Sequence, residues 1–249
     1  MAAAGGVTMQ QLFREDHEEA LRLIAESDSL ALARFADGEA CVLRNITVGN
    51  KDGWLFKKDK NLVFRRDLRH SLLCTDKNYY YGLSCSCCDK ENHDFLLNSV
   101  RAPLENLTFS NIWVNANYPS FNERFLPTLG KTKKSIIYCS GSKARVSELN
   151  SHIPIADFIP IPGNCVVYWE KYREQIRGLL DLKATQYSNA IFLIAAGPMS
   201  EIIIHEMWQA NPQNIYLDIG STLDPFVFRR KSRSYHTAGH VLSQRVCSW

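Results

Sequence analysis

The sequence predicts an α/β fold, with a mostly parallel sheet covered by helices on both faces. Three observations carry this. Apolar, strand-like runs alternate with helix-periodic segments along most of the chain. Several runs, Ala190 to Ala195 above all, are continuously apolar rather than alternating, as strands buried on both faces are. Polar and charged residues gather just after these runs, at the strand ends where ligands bind in parallel sheets.

The elements follow in order. Thr8-Met-Gln-Gln11 fits a capping box, and an amphipathic helix is expected from there to about Glu26. Leu30 to Phe35 is a short apolar strand. Gly49 to Asn61 is rich in Gly, Asp, Asn and Lys and reads as a loop. Leu62 to Cys74 has helical spacing, and Tyr79 to Leu83 reads as a strand. Ile112 to Asn115 is expected to be a strand and Phe121 to Leu129 a helix. Strands are expected at Ser135–Cys139 and around Phe158-Ile159, and a long helix over Val166–Lys183. Ala190–Ala195 forms a strand, followed by Gly197-Pro198 and a helix through Trp208. Asn214 to Asp218 is the last strong strand.

Composition narrows the class. The chain has 249 residues, 45% hydrophobic and 22% charged, which excludes wholesale disorder, collagen and coiled-coil fibres. A formal net charge of +3 does not suggest a nucleic-acid binder. No run approaches the ~18 apolar residues of a membrane span. The start MAAAGGVTMQ has neither a basic nor an apolar leader region, so a cytoplasmic protein is expected. The length suits a single domain over residues 1–249, with an irregular insertion or lid at about 40–110.

The eight cysteines are Cys41, Cys74, Cys85, Cys87, Cys88, Cys139, Cys165 and Cys247. Disulfides would suit a short secreted chain, which this is not. Cys85-Ser-Cys87-Cys88, with His93 close behind, is the one metal candidate, but no second ligand pair accompanies it in the sequence. Reduced packing thiols are the expectation. The sequons at Asn45 and Asn106 carry no weight without secretion.

The strand ends hold the chemistry. Asp37-Gly38-Glu39 either shares a hard divalent cation between two carboxylates or is an ordinary Asp-Gly turn. Arg34 can meet a phosphate or pair with Glu39. Gly197-Pro198-Met199-Ser200 can present backbone N–H groups to an anion, or simply cap the next helix. Asp218-Ile-Gly220-Ser221 matches no dinucleotide fingerprint, because no glycine follows Gly220 at the required spacing. Gly130-Lys131-Thr132 ends like a P-loop, but Phe125 stands where its first glycine should be, and no G-x-S-x-G elbow exists. Glu201 and His205, four apart on a helix, read as a core or surface pair. Arg229, Arg230, Lys231 and Arg233 form a basic segment, either a solvated surface or a closure over phosphates.

Taken together, four segments resemble the GT-D fold glycosyltransferases, Rossmann-like enzymes of surface-glycan pathways. They are Arg34-Phe-Ala-Asp-Gly-Glu39, Val114-Asn-Ala-Asn-Tyr118, Ala196-Gly-Pro-Met-Ser200 and Leu217-Asp-Ile-Gly-Ser-Thr-Leu-Asp-Pro225. Order and approximate spacing agree over roughly residues 28–236. Ala36 departs from the glycine often found there, and the cysteine-rich stretch at 85–88 is not a family feature. The resemblance implies a D-x-E metal motif at Asp37 and Glu39, holding Mn²⁺ or Mg²⁺ against the diphosphate of a nucleotide-sugar donor, expected to be a UDP-sugar. Arg34, Gly197, Pro198, Ser200, Asp218 and Ser221 would bind the donor, and Asn115, Asn117 and Tyr118 the sugar. Asp224, with His236 second, would take the proton from the hydroxyl of a glycan acceptor. The alternatives are an S-adenosylmethionine-dependent methyltransferase, motivated by Leu217–Ser221, and a non-catalytic module binding a nucleotide or a nucleic acid.

Overall fold

Among the residues that the computed structural model describes, 9–247 with side chains from 16 onward, seven strands build one sheet in the order β5-β4-β1-β9-β8-β6-β7. They are β1 (Leu30–Phe35), β4 (Tyr79–Leu83), β5 (Leu107–Phe109), β6 (Ile136–Gly141), β7 (Ile155–Ile161), β8 (Ile191–Ala195) and β9 (Ile215–Asp218). Every pairing is parallel. A two-stranded antiparallel hairpin, β2 (Val48–Gly49) with β3 (Leu55–Phe56), stands apart from the sheet. The helices are α1 (Met9–Glu26), α2 (Asp37–Leu43), α3 (Leu62–His70), α4 (Lys90–Leu97), α5 (Tyr118–Ser120), α6 (Leu126–Lys131), α7 (Cys165–Gln186), α8 (Ser200–Ala210) and α9 (Asp224–Val227). No helix among the described residues is long and apolar enough to cross a membrane.

The uninterrupted apolar runs have a direct cause. Successive side chains of a strand point to opposite faces, and here both faces are covered. Ala31, Ala33, Phe35, Phe192, Ile194 and Tyr216 join one core with residues of α2, α3, α7 and α8. Leu30, Leu32, Ile191, Leu193, Ile215 and Leu217 join a second core with α1, Trp113, Phe121, Phe125 and α6. The two strands at the centre, β1 and β9, are adjacent and end side by side, with Leu32 opposite Leu217. The connections from β1 to β4 and from β8 to β9 approach this pair from opposite sides, the arrangement whose carboxyl ends form the ligand crevice of parallel sheets.

Some sequence expectations are corrected. Ile112 to Asn115 is a turn, not a strand, and the sheet's edge strand is Leu107–Phe109 just before it. The turn is held inward because the Trp113 indole Nε1 donates to the Asp218 carbonyl at 3.1 Å and the ring is fully buried. The stretch Gly49 to Asn61 contains all of a short hairpin but its first residue, Val48, and its Trp54 and Phe56 are buried. The helix expected over Phe121–Leu129 starts at Tyr118, passes through a π-turn at Phe121–Phe125 and continues as α6. In the region of 40–110, β4 and β5 extend the main sheet while the hairpin and α3 pack outside it. The capping box proposed at Thr8–Gln11 lies outside the described residues.

Candidate functional site at the carboxyl ends of the central strands

Strand β1 delivers Arg34 to the crevice, and β9 delivers Asp218 beside it. Arg34 Nε donates to Asp218 Oδ2 at 3.0 Å and Nη1 donates to the Ser110 carbonyl at 2.7 Å. The two side chains are 10% and 7% exposed, so this is a buried pair that fixes the guanidinium. Asp218 Oδ1 accepts the Gly220 N–H at 2.8 Å, closing the turn after the strand. Gly220 has φ +53°, and a Cβ there would stand 2.3 Å from Arg34 Nη2. Glycine is therefore required at 220 for the arginine to reach its place.

The next turn leads into α2. The Ala36 N–H donates to Glu39 Oε2 at 2.9 Å, so the glutamate closes the first turn of its own helix. Asp37 is exposed and Glu39 buried. Burial pushes the Glu39 carboxyl up to about 7, opposed by its backbone hydrogen bonds and reinforced by the charges of Asp37 and Asp218. A third carboxylate, on α8, belongs to the same neighbourhood. Burial, then the charges of Glu39 and Asp218, hold Glu201 well above the usual carboxylate range, and its Oε2 has no hydrogen-bond partner.

The hairpin supplies the wall. The Trp54 ring lies against Gly38, 3.3 Å from where a Cβ would stand, and against Gly197 at 3.1 Å. Gly197 has φ +59°, so both backbone shape and the indole demand glycine. Trp54 is 6% exposed, and its Nε1 has no hydrogen-bond partner. Beyond Gly197, Pro198 opens a 3₁₀ turn, and the Ser200 hydroxyl accepts the Ala196 N–H at 2.9 Å.

A second group lies beside the first. The Ser221 and Tyr235 hydroxyls are 2.8 Å apart. The Tyr235 and His236 rings both pack on Tyr118, with centroids 5.0 and 5.1 Å away. Tyr118 donates its hydroxyl to the Thr222 carbonyl at 3.1 Å, and Asn117 Nδ2 donates to the Ile112 carbonyl at 3.0 Å. Both polar groups therefore serve the fold. Asn115 sits in the left-handed region at φ +55°. Asp224 accepts a hydrogen bond from the Ser232 hydroxyl, and burial pushes its carboxyl up. Burial lowers His236 to about 4, so its imidazole is neutral at neutral pH, with no hydrogen-bond partner at Nε2.

The basic segment is spent on internal ion pairs. Arg229 Nε meets Glu148 at 2.7 Å, while Arg233 and Arg230 both pair with Asp52 of the hairpin turn. These pairs link the C-terminal segment to the hairpin turn and to Glu148.

The structure thus brings Arg34, Asp37, Glu39, Gly197, Asp218 and Ser221 to neighbouring strand ends, and sets Tyr118, Asp224 and His236 in the group beside them. Sequence reasoning missed Glu201, Trp54, Asp52 and Tyr235. Glu201 directly follows the Gly197–Ser200 strand-end segment, which was a usable signal. Instead of pairing with Glu201, His205 stacks near His70, with ring centroids 5.1 Å apart. Trp54 sits in a stretch that reads as a polar loop and gave none. Two surface pockets, about 90 Å³ beside α1 and about 420 Å³ between α3 and α4, are lined by none of the site residues described above.

Strand order, parallel register and a charged crevice at β1 and β9 define a Rossmann-like α/β protein. Two solved structures share that fold over nearly the whole chain. Both are of domain of unknown function 1792, one of them in selenomethionine-substituted form and the other described as having a distinct glycosyltransferase fold. The first matches with 15% identity and a TM-score of 0.57, covering 93% of this chain and 94% of that one. The second has the same identity and TM-score and covers 94% and 95%. No family model and no curated protein matches the sequence.

Proposed function

We propose that this protein is a metal-assisted glycosyltransferase of the GT-D type, moving a sugar from a nucleotide-sugar donor, a UDP-sugar, to a hydroxyl of a glycan acceptor. The observation that carries the reading is the excess of buried carboxylate at the ends of β1, β8 and β9. Asp218 and Glu201 are buried near the single guanidinium of Arg34, Glu39 is buried beside them and Asp37 is exposed at the rim, and one Glu201 oxygen is bare.

These residues fit a hard divalent cation. Their donors are carboxylate oxygens, and their surplus charge is what burial penalises. Among the described residues, no three carboxylate or imidazole ligand atoms are gathered closely enough to form a ready cage. That suits a cation held by one or two carboxylates that completes its shell with phosphate and water. Asp37 and Glu39 would hold it, with the buried Glu201 carboxyl close by. When bound, the cation supplies charge neutralisation for the diphosphate leaving group.

The chain's own groups do the rest. Asp218 anchors Arg34, which adds fixed positive charge where the diphosphate develops its own. The Gly197 backbone is exposed to donor groups, and the buried Trp54 ring packs behind it. Asp224 receives the acceptor proton, its affinity for that proton raised by burial. His236 is the second candidate.

Calorimetry with UDP and Mn²⁺ tests the metal site. Wild type is expected to bind UDP more tightly with Mn²⁺, and the Asp37→Ala/Glu39→Ala variant to lose that gain. Equal binding by both proteins, with and without metal, removes the metal role. A panel of sugar nucleotides, assayed for hydrolysis with and without Mn²⁺, identifies the donor, and silence across the panel counts against the transferase.

A further inference from the structure

Four of the eight cysteines, Cys85, Cys87, Cys88 and Cys247, form one cluster. Strand β4 ends at Leu83, and Cys85-Ser-Cys87-Cys88 turns back on itself, with the N–H groups of Cys88 and Asp89 both donating to the Cys85 carbonyl at 3.1 Å. Cys247, 159 residues beyond Cys88, arrives from the C-terminal segment, which is held there by the Ala116 N–H donating to the Arg245 carbonyl at 3.2 Å. The Sγ separations are 3.5 Å for Cys85–Cys87, 4.0 Å for Cys87–Cys88 and 4.0 Å for Cys88–Cys247, and all four sulfurs lie within 4.8 Å of one another.

We infer that Cys85, Cys87, Cys88 and Cys247 form a structural zinc site that fastens the C-terminal segment beside the candidate active site. This site is independent of the carboxylates and of the transferase reading. Four thiolates about 2.3 Å from a tetrahedral zinc stand about 3.8 Å apart, close to the 3.5–4.0 Å of the three neighbouring sulfur pairs. A disulfide would need two sulfurs about 2.05 Å apart, and none of the eight cysteines is so bonded.

The surroundings point the same way. Asn111 Nδ2 lies against three of the sulfurs, 3.7 Å from Cys85 and 3.9 Å from Cys88 and in closer contact with Cys247, and Asn115 Nδ2 is 3.9 Å from Cys247. N–H donors aimed at sulfur are the outer layer that thiolate sites use to hold their ligands and their charge. Cys85 and Cys247 are buried, while Cys87 and Cys88 reach the surface, which gives the ion a way in. Soft thiolates choose zinc over the hard cations that suit Asp37 and Glu39, so the two sites take different metals. Four ligands leave no open position, so the role is to join distant segments rather than to do chemistry. Binding releases the remaining thiol protons to solvent.

The test is metal analysis of the full chain purified under reducing conditions without added chelator. About one zinc per chain is expected. Cobalt substituted for zinc should give the charge-transfer and intense visible bands of a tetrahedral thiolate site. Cys247→Ser and Cys87→Ser should each lose the metal, whereas Cys41→Ser, a thiol on α2 outside the cluster, should keep it. Chelation of wild type should speed proteolysis within residues 229–247. A folded, monodisperse wild-type chain without zinc that also fails to take up cobalt overturns the proposal, as does equal metal loss from Cys41→Ser and Cys247→Ser. A Cys88–Cys247 disulfide in the native protein, found by mass spectrometry, overturns it as well.

Discussion

Gly220 and His205 show how single residues set the conditions for the site. A methyl group at 220 meets two penalties at once, a left-handed backbone and the Arg34 guanidinium. Gly220→Ala should therefore lower stability by about 1–3 kcal/mol, the cost of a strained non-glycine residue, and should also loosen the Arg34–Asp218 pair. Denaturant unfolding checks the first part, and a fall in UDP affinity beyond that of a remote variant of equal instability checks the second. His205 acts through pH. Its ordinary value is 6.5, and burial, with His70 and Arg177 nearby, lowers it to about 4 in the fold. Between these values the unfolded chain binds more protons than the folded one, so stability falls as pH drops from about 6.5 to about 4. The span is worth on the order of 3 kcal/mol. Glu39, raised to about 7, works in the opposite direction, favouring the fold below its unfolded value and losing that favour as pH rises through 7. The difference between wild type and His205→Gln isolates the histidine, and urea midpoints measured from pH 7 to 4 should show a shallower acid slope in the variant. At this scale the sequence was partly legible. Asp37, Glu39 and Asp218 announce themselves by following apolar strands. Glu201 hid in a helix, where spacing pairs it with His205, and only the packing of α8 against β1 turns it toward Glu39.

Elements were legible wherever burial dictates pattern. The strands β1, β4, β8 and β9 are apolar on both faces because both faces are packed, and their limits follow from the sequence almost residue for residue. The parts that misled are those whose shape depends on distant partners. Ile112-Trp-Val is apolar enough for a strand, yet the Trp113 hydrogen bond to Asp218 bends it into a turn. The hairpin around Trp54 has strands of two residues each and no alternation to read. Its turn still matters, because Asp52 binds Arg230 and Arg233 and so ties the hairpin to the C-terminal segment. Asp52→Asn should free that segment. Hydrogen exchange over residues 229–236 should quicken and become less sensitive to salt, while global stability falls by no more than about 1 kcal/mol, since Asp52 and Arg233 are more than a quarter exposed. Unchanged exchange would mean that the aromatic contacts of Tyr235 and His236 hold the segment alone.

At the scale of the whole molecule, a net charge of +3 conceals a deliberate separation of sign. Carboxylates concentrate at the central strand ends, and three of the arginines in the basic segment are bound to carboxylates of other elements. The three arginines at 229–233 are therefore engaged internally rather than offered to a nucleic acid, and the crevice gathers carboxyl groups around one arginine. An anionic nucleotide approaching Asp37 and Glu39 is helped by a cation between the two. Adenosine-type cofactors draw no such help, and Asp218, which a methyltransferase would need for its cofactor, is already committed to Arg34 and the Gly220 N–H. This yields a discriminating expectation. A ligand that binds only the native state stabilises it by about 2.7 kcal/mol at a hundred times its dissociation constant. For a chain of this length, that raises the unfolding temperature by roughly 5–10 °C. UDP with Mn²⁺ should produce such a shift, UDP with chelator much less, and S-adenosylhomocysteine none. Stabilisation by S-adenosylhomocysteine without any by UDP would reverse the assignment, because the excess of buried carboxylate would then have to be compensated by something other than a metal-bound diphosphate.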